Sequence, residues 1–195
     1  MALSGSLSNP FKTGYRIQID WSATQNVGAN TSTITAYFYL ISTGGSYNIN
    51  ASAAKALSIV IDGTTYSYSV NVTVTGGQTK LLATATHTIA HNSDGTRSFA
   101  ISGSLGIAVT LSGTYYGTVS IAAVGFALNT IPRTSNPTVS AASVIMGNAI
   151  AIYTNRASTA FSHNLRYSIN GNEALIATGV TDSFSWVPPA TLASL

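Results

Sequence analysis

A chain of 195 residues, 45% of them hydrophobic, has enough apolar material for one large domain or two small ones. Only 7% of its residues are charged, against roughly 25% in an average soluble domain, and the net charge of +3 rests on eight basic and five acidic residues scattered singly, so no basic run points to nucleic acid. There is no cysteine, which excludes a disulfide framework and any thiolate metal site.

The amino-terminal stretch "MALSGSLSNPFKTGYR" lacks the charged and apolar regions of a secretory signal, and no apolar run reaches the ~18 residues of a membrane helix. Synthesis in a cytoplasm without a signal peptide, and no membrane insertion, are therefore expected. Period-two patterning begins with "YRIQIDW", where Tyr15, Ile17, Ile19 and Trp21 fall on one face and Arg16, Gln18 and Asp20 on the other. In "STITAYFYL", Ile34, Ala36, Phe38 and Leu40 share a face, which leaves Thr33, Thr35, Tyr37 and Tyr39 opposite. The stretch 50–58, "NASAAKALS", is the one place compatible with helix, and a single turn is expected there. "LSIVIDGTTYSYSVNVTV" is two alternating runs around Asp62-Gly63, a dipeptide that tolerates positive φ and so favours a hairpin. The next hairpin turns at Asn92 to Gly95 and continues with Phe99, Ile101, Leu105, Ile107 and Val109 on one side. In "TYYGTVSIAAVGFAL", Tyr115, Val119 and Ile121 are in one phase and Val124, Phe126 and Leu128 in the other, which predicts a β-bulge or bend near Ala122-Ala123.

Residues 128–139, "LNTIPRTSNPTV", interrupt this regularity. Pro132 cannot donate to a ladder, and Asn136-Pro137 repeats the break, so a semi-rigid boundary is expected over 131–137. About four strands follow, with a hairpin at Asn170-Gly171. Roughly 60 residues are too few for a sandwich of ~100, so the second domain is expected to be incomplete. The predicted fold is all-β. A jelly-roll-like β-sandwich resembling a carbohydrate-binding module occupies 1–131, a proline-containing linker 132–137, and a partial immunoglobulin-like β-domain 138–195.

The chemistry-bearing residues are sparse. Asp62 and Asp94 sit in turns, where a carboxylate serves the backbone, and Asp20 is expected to pair with Arg16 as ordinary surface charge. With no carboxylate pair, no G-x-S-x-G elbow and no cysteine nucleophile, no catalytic residue is assigned. His87 and His91 are four apart on a strand, about 13 Å at ~3.3 Å per residue, too far for one metal ion. They are expected to be hydrogen-bonded histidines, with no metal and no cofactor. The stronger signal is aromatic: Tyr37, Tyr39, Tyr47 and Tyr116, with the loop "TGGSYNINAS", offer ring faces and hydroxyls of the kind that bind sugars. Tyrosine is also a good strand residue, so sheet packing alone is the competing account.

The succession "HTIAHNSDGTRSFAISGSL", "LSGTYYGTVSIAAVGFALNTIPRTS" and "SFSWVPPATLASL" resembles the amino-terminal part of a family of siphophage tail proteins. These are fibre, tailspike or receptor-binding-like components of phages of Gram-positive bacteria, streptococci prominent among them. His91 to Gly95 and Thr130 to Arg133 are its most specific marks. The resemblance implies a virion tail location, outside the cell, and immunoglobulin-like modules after the boundary. It carries over no functional residue. Two readings follow from it: host adhesion through a cell-wall polysaccharide or other surface glycan, or an anchoring domain that fixes a longer fibre to the tail tip or baseplate. Both imply other tail proteins as partners and allow a homo-oligomer such as a trimer.

Overall fold

A computed structural model describes residues 2–51, 53–159 and 161–194. It is all-β, and the chain divides into two compact units, 1–91 with 97–129, and 92–96 with 130–195.

In the first unit the long strands are β1 (Ser4–Lys12), β2 (Tyr15–Asn26), β3 (Thr31–Ser42), β5 (Lys55–Ile61), β6 (Thr64–Val70), β8 (Thr79–Ala90), β9 (Ser98–Leu105) and β12 (Val119–Ala127). The short ones are β4 (Ile49–Asn50), β7 (Thr73–Val74), β10 (Val109–Leu111) and β11 (Thr114–Tyr116). Antiparallel sheets in the orders β1-β2-β3-β8 and β12-β9-β5-β6 pack into a sandwich. The alternation explains the core: Ile17, Ile19, Ile34, Phe38 and Leu40 from one sheet meet Ile59, Ile61, Ile101 and Leu105 from the other, all with no exposed surface. Gly103 of β9 makes room for this meeting. A Cβ there would come within 2.9 Å of Ile19 Cδ1, Phe38 Cε2 and the Ser58 carbonyl. Asp62 and Gly63 both adopt positive φ in the β5–β6 turn, as the dipeptide requires. The phase change in β12 is a register shift between Ile121 and Val124 against β9, the predicted bulge. No helix forms in the described part of 50–58: Lys55 to Ser58 open β5, and Ser52 lies outside the described residues. Among the described residues no helix is long and apolar enough to cross a membrane.

The second unit contains β13 (Thr138–Val139), β14 (Ile150–Tyr153), β15 (His163–Ile169), β16 (Asn172–Val180), β17 (Ser183–Trp186) and a 3-10 turn (Ala190–Ser194). Its sheets are β13-β14-β17 and the hairpin β15-β16, closed by Asn170 and Gly171 at positive φ. Five strands among the described residues are fewer than the seven of an immunoglobulin fold. The turn Asn92–Thr96 belongs to this unit as well: the Ile131 amide donates to the Gly95 carbonyl at 2.9 Å, and Ile131 is fully buried. Gly95 has φ +81°, and a Cβ on it would lie 2.0 Å from the Ile131 carbonyl oxygen, so glycine is required twice over. Asp94 holds the same turn by accepting from the Thr96 amide at 2.9 Å and the Thr96 hydroxyl at 2.6 Å.

Candidate functional site

The structure separates the four tyrosines into two sets. Tyr37 and Tyr39 face outward from the first sheet, as the alternation requires, and each is half-buried between its cross-strand neighbours. Tyr37 stands between Asp20 of β2 and Thr84 of β8, and Tyr39 between Gln18 and Leu81. Around them the face is a ladder of hydroxyls. Thr33 and Thr88 are 2.9 Å apart, Thr35 and Thr86 are 3.4 Å apart, and Ser22 and Thr24 continue the same rows on β2. Asp20 accepts from Gln18 at 2.8 Å and does not pair with Arg16, because four residues along a strand separate side chains by about 13 Å.

Tyr47 and Tyr116 lie at one end of the sandwich and are joined by a row of rings. Tyr116 meets Phe11 edge to face at 5.6 Å, Phe11 stacks on Tyr15 at 6.2 Å, and Tyr15 meets Tyr47 edge to face at 5.4 Å. Tyr15 anchors the row. It is buried, its hydroxyl donates to the Asn48 carbonyl at 3.1 Å, and burial first, then the neighbouring Tyr47, raises its phenol above the ordinary range. The Tyr47 ring lies on Gly14, where a Cβ would approach it to 2.4 Å. It remains 37% exposed. At the same end a cavity of about 350 Å³ opens between the β3–β4 loop and the β10–β11 hairpin, lined by Asn48, Asn50, Lys55 and Thr110 among others.

One residue at this end was not foreseen. Alternation puts Tyr115 in phase with Val119 and Ile121 and offers Tyr116 as the ligand residue. The structure reverses the pair, because Gly117 and Thr118 break the strand and β11 pairs with β10 instead of continuing β12. Tyr116 shares a face with Val109 and packs against the core, whereas Tyr115 shares a face with Thr110 and is 66% exposed.

The histidines are engaged separately. His87 Nδ1 is 3.0 Å from the Tyr66 hydroxyl, and buried His91 has Nε2 2.7 Å from the Ser32 hydroxyl. Asp62 pairs with Arg97. Among the described residues no three His, Cys, Asp or Glu side chains gather where they could hold a metal.

The second unit has concavities of its own. A groove of about 530 Å³ runs between its sheets, walled by Val139, Ile150, Ile152, Leu165, Ile176 and Trp186. A smaller cavity of about 380 Å³ holds Ser135 and His163, whose Oγ and Nε2 are 3.0 Å apart. The other ring nitrogen of His163 has no carboxylate partner among the described residues, so the pair lacks the third group that orients a catalytic imidazole.

Neither a curated protein nor a solved structure matches the chain. A family model described as "Siphovirus protein of unknown function (DUF859)" matches residues 6–195. That span is nearly the whole chain, and the protein whose sandwich end and hydroxyl-rich face are described above belongs to this family of siphovirus proteins.

Proposed function

We propose that the chain is a non-enzymatic structural component of the siphophage virion tail, and that it adheres to the host by binding a surface saccharide. One observation carries this reading: the ring row from Tyr116 to Tyr47 shares its end of the sandwich with an amide- and hydroxyl-lined cavity, with Tyr47 and Tyr115 exposed. Aromatic faces stack on the C–H surface of a sugar ring, while Asn48, Asn50 and Thr110 provide partners for its hydroxyls. Such a site is shallow and weak singly, and many copies in a tail would strengthen it. A glycan array probed with the full chain tests the reading. Tyr47→Ala and Tyr115→Ala together should weaken the best signal about tenfold or more, one to two stacking contacts at ~1 kcal/mol each. Equal binding by the folded double variant would place the sugar elsewhere, and binding to no glycan would remove adhesion.

A second reading rests on the other tyrosines. The outer face carrying Tyr37, Tyr39 and the threonine ladder is broad and bears the single charge Asp20 among its central residues, which suits burial against another tail subunit or a second copy of this chain. Tyr37→Ala with Tyr39→Ala should then impair tail assembly and leave glycan binding unchanged. Weakened glycan binding would instead assign that face to the sugar.

A further inference from the structure

Half of the eight basic residues scattered along the sequence share one end of the first unit. The first unit has five cations: Lys12, Arg16, Lys55, Lys80 and Arg97. Arg97 is neutralised by Asp62 at the far end of β5 from Lys55. The other four lie at the end that carries the ring row. Lys12 pairs in register with Tyr15, Arg16 follows Tyr15 on β2, and Lys80 pairs with Leu40 near the end of β3. Lys80 Nζ donates to Thr73 Oγ1 at 2.6 Å, and Thr73 pairs with Asn50, which lines the notch together with Lys55. Among the described residues no carboxylate lines that notch. Asp20, the unit's other acid, is bound to Gln18 further along β2. Among the described residues the Lys55 ammonium has neither a hydrogen bond nor an ion pair, and four cations with no opposing charge set a positive local field in a chain otherwise poor in charge.

We propose that this end of the sandwich selects a saccharide bearing a phosphate or carboxylate. The rings at Tyr47 and Tyr115 face the sugar, and Lys55 takes the anionic substituent inside the notch. The inference rests on the saccharide reading above and adds the charge of the ligand to it. A neutral sugar uses the rings and amides and leaves Lys55 idle. A nucleic acid strand needs a continuous basic groove that tracks several phosphates, whereas the notch is a single cavity of about 350 Å³ with room for one substituted sugar.

The test titrates the full chain with glucose, glucose 6-phosphate, glucuronate, inorganic phosphate and a ten-nucleotide oligothymidylate, following backbone amide shifts by NMR. The charged sugars should bind about tenfold or more tighter than glucose at low salt, with shifts at Asn50, Lys55 and Thr110, and the preference should shrink as salt screens it. The ratio between glucose 6-phosphate and glucuronate tells phosphate from carboxylate. Lys55→Gln should bring the preference down to about twofold or less. Equal affinity for glucose and the charged sugars overturns the proposal and leaves the saccharide reading standing; binding of no sugar overturns both. Inorganic phosphate binding as tightly as glucose 6-phosphate, tighter binding of the oligonucleotide, or an undiminished preference in Lys55→Gln each overturns it too.

Discussion

Phe38 in the first unit and Tyr167 in the second hold equivalent stations: each is an aromatic residue in the middle of an alternating strand, facing the opposite sheet. Phe38 has no exposed surface, whereas Tyr167 stacks on Trp186 at 5.4 Å and is only partly buried. The same contrast runs through both units. Inward residues of β2, β3, β5 and β9 are sealed, while Leu165, Ile176 and Trp186 are only partly covered beside the open groove. Both units obey the period-two rule, so the difference comes from strand number. Two four-stranded sheets cover each other's centres, and a three-stranded sheet over a hairpin leaves each strand near an edge.

The contrast is best attacked where it is largest. Phe38→Ala should cost about 3–5 kcal/mol, the usual price of emptying an aromatic site in a sealed core, read as a fall in the urea midpoint of the first unit. A loss below ~1.5 kcal/mol would show that this core is as loosely held as the second unit's. Gly95→Ala comes next, because it adds a clash with the Ile131 carbonyl to an unfavourable φ. It should destabilise the second unit by about 2 kcal/mol or more and open 131–137 to protease. An unchanged cleavage pattern would mean that the pairing does not hold that segment. Tyr167→Ala should cost less than Phe38→Ala, about 1.5 kcal/mol, since its ring is only partly covered. Amides of β15 and β16 should also exchange well before those of β2 and β3, and equal protection would erase the comparison.

The smallest effect concerns Asp94. Hydrogen bonds from the Thr96 hydroxyl, and then from the Thr96 amide, hold its carboxyl below the ordinary value of 3.8. A depressed folded value means that the carboxylate stabilises the turn above the unfolded pKa and loses that contribution as pH falls through the folded one. Asp94→Asn should therefore be slightly less stable than the parent at neutral pH, and the gap should close well below pH 3.8. A gap that persists in acid would assign the effect to shape instead of charge.

What the sequence made legible was local. Alternation gave the inward and outward faces of β2, β3, β5 and β6, the Asp62-Gly63 and Asn170-Gly171 pairs gave their hairpins, and the phase change near Ala122 gave the bulge. What it hid was set by pairing at long range. Lys12, Lys55 and Lys80 are tens of residues apart and share one end of the sandwich only because β1, β5 and β8 all present an end to that side. Strands of three residues such as β10 and β11 are too short for alternation to fix a face, and Tyr115 and Tyr116 were exchanged for that reason. The Ser135–His163 contact spans 28 residues and left no mark in either local pattern.

The Gly95–Ile131 pairing bears on how such a gene can be reshuffled. The second unit borrows a turn encoded some 35 residues upstream, so a crossover placed at the prolines would deliver a new distal module to an old turn. Only donors whose incoming segment still presents a carbonyl-matched amide at Ile131, facing a glycine at position 95, would graft cleanly. The turn and the boundary are therefore inherited as a pair, and a chimera that replaces everything after Asn129 needs residues 92–96 from the same parent.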